Sequence, residues 1–120
     1  MGQAFTVLYV DDDHQVRETV VALLRAEGFR VLEASNAIEA MRYISNERVD
    51  VLFTDIVMPS RDGIELAKQA QQLRPDIRVI FATGYFSQAR DAETLGKLLF
   101  KPIRVNEIRA ALDEMLEGAD

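Results

Sequence analysis

A chain of 120 residues with 48% hydrophobic and 28% charged side chains has the size and balance of one globular domain, residues 1–120, and is too apolar for a disordered polymer. The absence of cysteine excludes a disulfide framework, a thiolate metal site and a cysteine nucleophile together, and an intracellular setting suits such a chain. A formal net charge of −6 repels a phosphate backbone, so direct nucleic-acid binding is not expected, and apolar runs of the length of Val79 to Ala82 are too short for membrane insertion.

In chain order, Phe5 to Val10 is nearly all apolar, as a strand buried on both faces would be. After Asp13, the residues Val16, Val20, Leu23 and Leu24 share one side of a predicted helix, which Gly28 is placed to close. Arg30 to Ala34 is a second strand. Asn36 and Glu39 have the N-cap and N3 spacing of a capping box, and Ala37, Ala40, Met41 and Ile44 mark the buried stripe of the helix they open. Val51 to Thr54 is the third apolar run. The stretch Met58-Pro59-Ser60-Arg61-Asp62-Gly63 is turn-forming, Asp62 and Glu65 offer a second capping box, and a third helix ends at Arg74-Pro75. Val79 to Ala82 gives the fourth strand, a less apolar helix lies around Ser87 to Thr94, and Lys97 to Phe100 gives the fifth. The last helix runs from about Val105 to Glu117 with Ile108, Leu112 and Met115 on one face.

Five short buried strands alternating with five helices predict a parallel sheet covered on both faces, because each parallel crossover is long and right-handed. The fold class is therefore α/β, a three-layer, doubly wound, five-stranded parallel sheet. Sites in such sheets form beyond the carboxyl ends of the strands, where strand order reverses. The residues there are Asp11, Asp12 and Asp13 after strand one, Asp55 after strand three, Thr83 after strand four and Lys101 after strand five.

Several carboxylates in one small space repel each other unless a cation joins them, and ligation by oxygen alone favours a hard ion such as Mg²⁺. Lys101 adds a positive point charge and Thr83 a hydroxyl, which with Mg²⁺ are the parts that neutralise phosphoryl oxygens during transfer. One carboxylate must be the nucleophile, since the sequence has no cysteine and no serine with a paired histidine. Asp55 suits that role best because it follows the central-looking strand, with the acidic pair and the lysine arriving from neighbouring strands. The product is an aspartyl phosphate.

The order Val10-Asp11-Asp12, Asp55 with Met58-Pro59 and Asp62-Gly63, Thr83-Gly84 and Lys101-Pro102 resembles the response-regulator receiver family over essentially the whole chain. The resemblance implies a flavodoxin-like (βα)5 fold in which Asp12 ligates Mg²⁺ directly, Asp11 ligates it mainly through water, and Asp55 both ligates it and accepts phosphate. The backbone carbonyl of Val57 completes the protein ligands. Thr83 swings its hydroxyl to the phosphoryl group, Lys101 pairs with Asp55 and then with a phosphoryl oxygen, and a cis bond before Pro102 aims the lysine inward. The implied phosphodonor is a histidine kinase or a histidine phosphotransfer protein. The implied output is an output domain or target protein on the face made by the fourth helix, fifth strand and last helix. Such a chain shifts a conformational equilibrium and is not an enzyme in the ordinary sense.

Two features depart from the family pattern. Receivers commonly carry Tyr or Phe three residues before the lysine, where Leu98 stands here; Phe100 points to the same face by strand alternation and suits either a substitute or a plain packing role. The positions two beyond Asp55 and Thr83 are Val57 and Tyr85, whose bulk implies slow hydrolysis of the phosphoaspartate, while Gly84 leaves room beside Thr83. Asp13 suits a helix N-cap at least as well as a metal role, and His14, the one histidine, is assigned none. An aspartyl-nucleophile Mg²⁺ phosphatase is a poorer match, because Asp11-x-Asp13 is followed by Gln15 where that signature needs threonine. An unphosphorylated receiver-like interaction module is the closer alternative. The N-terminus lacks a signal peptide's basic and apolar segments, so the expected location is cytoplasmic. The length suits a stand-alone regulator, or a receiver from a longer regulator or hybrid kinase.

Overall fold

Strands form where β-branched and aromatic residues run together, and helices where apolar residues recur every three or four positions. The structure, a computed structural model, describes residues 5–58, 62–84, 92, 94–101 and 103–117, the side chains of 116 and 117 apart. Its elements are β1 (Thr6–Val10), α1 (His14–Ala26), β2 (Arg30–Ala34), α2 (Ala37–Asn46), β3 (Val51–Asp55), α3 (Gly63–Leu73), β4 (Arg78–Thr83), β5 (Lys97–Phe100) and α4 (Val105–Glu117). The five strands are parallel in the order β2-β1-β3-β4-β5, so strand order reverses between β1 and β3. No helix among the described residues is long and apolar enough to cross a membrane.

The period of two along each strand sorts the core into two layers. Leu8, Val10, Leu52, Val79 and Phe81 face α2 and α3, packing on Ala40, Ile44, Leu66 and Ala70. Val7, Tyr9, Val51, Phe53, Ile80 and Ala82 face the other way, against Val20, Val21 and Leu24 of α1 and Ile108 and Leu112 of α4. This is the predicted three-layer, doubly wound arrangement. The predicted helix around Ser87 to Thr94 falls mostly outside the described residues. Ala92 is helical and fully buried, and its carbonyl accepts the N–H groups of Leu95 (2.9 Å) and Gly96 (3.1 Å).

Local signals mostly act as their chemistry requires. Asp13 caps α1, its Oδ1 accepting from the N–H groups of Gln15 (3.0 Å) and Val16 (3.1 Å). The box at α2 is shifted: Asn36 accepts from the Glu39 N–H at 2.9 Å, but Glu39 reaches back to the N–H and hydroxyl of Ser35 at 2.7 and 2.6 Å. The hydroxyl first, then the N–H, holds the Glu39 carboxyl below its ordinary pKa. Asp62 caps α3 through the Ile64 N–H at 2.6 Å. The α1 stripe differs from expectation. Val20, Val21 and Leu24 are buried while Val16 and Leu23 are each 36% exposed, because both lie roughly 90° round the helix from the middle of that stripe.

Gly28 ends α1 in the left-handed region at φ 96°, and its N–H and that of Phe29 bond back to Arg25 and Leu24 at 3.0 and 3.3 Å. Gly28→Ala is expected to lower stability by about 1 kcal/mol, because a Cβ disfavours this conformation. The check is a lower urea midpoint at an unchanged m-value.

Candidate functional site

Asp11, Asp12 and Asp55 each present an oxygen within 4.8 Å of the others, at the reversal between β1 and β3. Octahedral Mg²⁺ places its oxygens roughly 3 Å apart when adjacent and about 4.2 Å when opposite, so this set fits with a small closure or an intervening water. Asp11 is fully buried, Asp55 nearly so, and Asp12 is exposed. The strands deliver them: Asp11 and Asp55 lie two residues beyond Tyr9 and Phe53, which are Cα partners in the sheet.

Lys101 is the positive counterpart. Its Nζ stands 2.9 Å from Asp55 Oδ2 and 4.0 Å from Asp11 Oδ2. The lysine follows β5, which β4 separates from β3, so it is not on a neighbouring strand as expected; its four-carbon stem spans the gap, and its N–H bonds to the Thr83 carbonyl at 2.8 Å. Burial lifts the Asp55 carboxyl above its ordinary pKa; the Lys101 hydrogen bond and charge and the Val57 N–H oppose this, and Asp11 reinforces it. Burial pulls the Lys101 ammonium down, but the Asp55 hydrogen bond, with the charges of Asp55, Asp11 and Asp12, leaves it raised. The result is an ionic cluster, partly desolvated, with more negative than positive groups. The three carboxylates could hold a metal ion.

Residues 7–113 match the family described as the response regulator receiver domain. The chain belongs to this family. The receiver is 34% identical over 117 residues to the response regulator receiver protein CpdR of Brucella abortus (strain 2308), covering 94% of this chain and 98% of that protein. It is 32% identical over 114 residues to the sporulation initiation phosphotransferase F of Bacillus subtilis (strain 168), covering 92% of each. Among solved structures, a CheY-like receiver domain protein from Methanospirillum hungatei JF-1 matches with a TM-score of 0.89 at 28% identity, over 96% of this chain and 95% of that one.

The receiver brings Asp11, Asp12, Asp55 and Lys101 together, and Thr83 ends β4, fully buried, with Ala82 paired to Asp55. Asp13 stays out of the cluster because its carboxylate caps α1. Val57 is 43% exposed, and its N–H bonds to the Asp55 carboxylate. Gly84 is exposed, and a Cβ there would meet nothing within 4 Å. Leu98 is half-buried on the α2 and α3 side, paired with Phe81, and Phe100 is half-buried too. Tyr85, Pro102 and the bond before Pro102 lie outside the described residues.

Three supporting residues escaped the sequence reading. The Tyr9 hydroxyl donates to Asp11 Oδ2 at 3.0 Å. Arg17 Nη1 donates to the Asp11 carbonyl at 2.8 Å while its Nε reaches Glu33 at 3.3 Å, bracing the loop after β1. Gly63, which the sequence marked only as part of a turn-forming stretch, matters for lack of bulk: a Cβ there would overlap the Asp55 carbonyl. A tyrosine two residues before an aspartate was the one legible signal, since period two puts both on one face.

Proposed function

We propose that this receiver takes a phosphoryl group onto Asp55 from a histidine kinase or a histidine phosphotransfer protein in a Mg²⁺-dependent reaction. The observation that carries this reading is the nearly buried Asp55 carboxylate, held 2.9 Å from the Lys101 ammonium and within one cation's reach of Asp11 and Asp12. An Asp55 oxygen attacks phosphorus, the P–N bond of the phosphohistidine breaks, and the imidazole leaves with the bond's electrons and picks up a proton. Asp12 and Asp55, with Asp11 through water and the Val57 carbonyl, would hold Mg²⁺, which would supply positive charge to the phosphoryl oxygens.

Lys101 moves from the carboxylate it neutralises to a phosphoryl oxygen, and the Thr83 hydroxyl donates to another. Open space at Gly84 admits the group. The change at Thr83 and Lys101 then reaches the face to which β5 and α4 contribute, where an output domain or target protein reads it. Leu98 occupies the place of the family's usual aromatic residue, so side-chain repacking there replaces ring rotation. The chain is a phosphoacceptor switch, not a catalyst for an external substrate, and it works in the cytoplasm.

Intact mass after incubation with phosphoramidate tests the reading. Wild type with Mg²⁺ gains one phosphate, and wild type in EDTA and Asp55→Asn gain none. A wild-type chain without an adduct under rapid quenching would make it an unphosphorylated interaction module.

A further inference from the structure

We propose that Tyr9 is a positioning residue for the acidic site: its phenol holds the Asp11 carboxylate in the orientation that receives a divalent cation and leaves Lys101 to Asp55. The inference rests on the metal reading above and concerns which side chain shapes the site.

Tyr9 is fully buried in the layer facing α1 and α4, and its ring meets Phe53 edge-on at 86° with centroids 5.0 Å apart. Phenylalanine would fill the same space, so packing alone does not call for a hydroxyl, and a buried hydroxyl needs an acceptor. That acceptor is Asp11 Oδ2, at 3.0 Å, and the partner oxygen, Oδ1, accepts from the Asp13 N–H at 2.9 Å. Both oxygens of a fully buried carboxylate are thereby anchored from within the chain. Hydrogen bonds of this kind orient ligands in metal sites, and losing one typically weakens binding.

The geometry gives the phenol a second effect. Lys101 Nζ lies 4.0 Å from the oxygen that Tyr9 satisfies and 2.9 Å from Asp55 Oδ2. Without the hydroxyl, Asp11 Oδ2 loses a donor in a desolvated place, and the ammonium is the charged donor close enough to replace it. Lys101 would then be shared between Asp11 and Asp55, standing where the cation belongs.

The test is Mn²⁺ binding, with free Mn²⁺ counted by electron paramagnetic resonance and Mg²⁺ as competitor. Wild type is compared with Tyr9→Phe and with Phe53→Leu, which keeps the hydroxyl and removes the edge-on ring. Tyr9→Phe is expected to bind about tenfold more weakly or worse, and Phe53→Leu to stay near wild type. Equal affinity in wild type and Tyr9→Phe, or an equal loss in both variants, overturns the proposal. A wild-type chain that binds no Mn²⁺ overturns the metal reading itself, and this inference with it. Wild type alone provides a second measurement should Tyr9→Phe not fold. The phenolic proton of Tyr9 is expected to exchange slowly in proton NMR and to move on adding Mg²⁺; a resonance that stays in place counts against the role.

Discussion

Lys101→Met is expected to slow Mg²⁺-dependent phosphorylation of Asp55 by about 100-fold or more, the usual cost of removing one charge-stabilising donor from a transfer site. Methionine keeps the unbranched stem, and the lysine side chain is 34% exposed, so the fold tolerates the exchange. What disappears is the ammonium 2.9 Å from Asp55 Oδ2. That charge opposes the burial that lifts the Asp55 carboxyl above its ordinary range. In Mg²⁺-free buffer the Asp55 carboxyl of the variant should therefore titrate at higher pH than in wild type, which carbon NMR of the side chain can read. Arginine is a poor substitute, because a planar fork replaces a compact point charge. Near-wild-type phosphorylation of Lys101→Met would remove the lysine from the transfer step.

Two glycines beside the site should respond oppositely to alanine. At Gly63 the added carbon would overlap the Asp55 carbonyl oxygen and come within 3.0 Å of Ile56 Cα, while the Gly63 N–H already bonds to the Ile56 carbonyl at 2.7 Å. The start of α3 must then retreat from the end of β3, taking the Asp55 backbone out of line. The overlap is expected to cost about 1–2 kcal/mol net, since overpacking outweighs the helix propensity alanine gains. Phosphorylation should fall with it. Gly84→Ala, whose Cβ meets nothing within 4 Å, should unfold at the wild-type urea concentration. Equal midpoints for the two variants would mean that Gly63 does not fix the approach of α3 to Asp55.

The sheet was legible because β1, β3 and β4 carry apolar runs, and β2 and β5 keep the predicted bounds, Arg30–Ala34 and Lys97–Phe100. The helix ends were legible where one short polar side chain does the capping, as at Asp13, Asn36 and Asp62. Sequence spacing could not say that Glu39 would turn to Ser35, since two donors one residue apart compete for the same carboxylate. Nor could it place Lys101 two strands from Asp55, because strand order is a property of the whole sheet. The acids at the strand ends were found because charge that follows an apolar run has few structural uses. Gly63 escaped for the opposite reason: it acts through one close approach to the Asp55 carbonyl at the end of β3, and local pattern carries no trace of that contact. The Tyr9 contact was within reach of the sequence, since Asp11 lies two residues on and on the same face.

The most direct test of the central claim is to locate the phosphate chemically. After phosphorylation with phosphoramidate and Mg²⁺, borohydride reduces an aspartyl phosphate to homoserine, and peptide sequencing by mass spectrometry finds the residue changed. The account predicts homoserine at residue 55 and nowhere else, with none formed when Mg²⁺ is withheld. Homoserine at another aspartate, or at residue 55 without Mg²⁺, would contradict it.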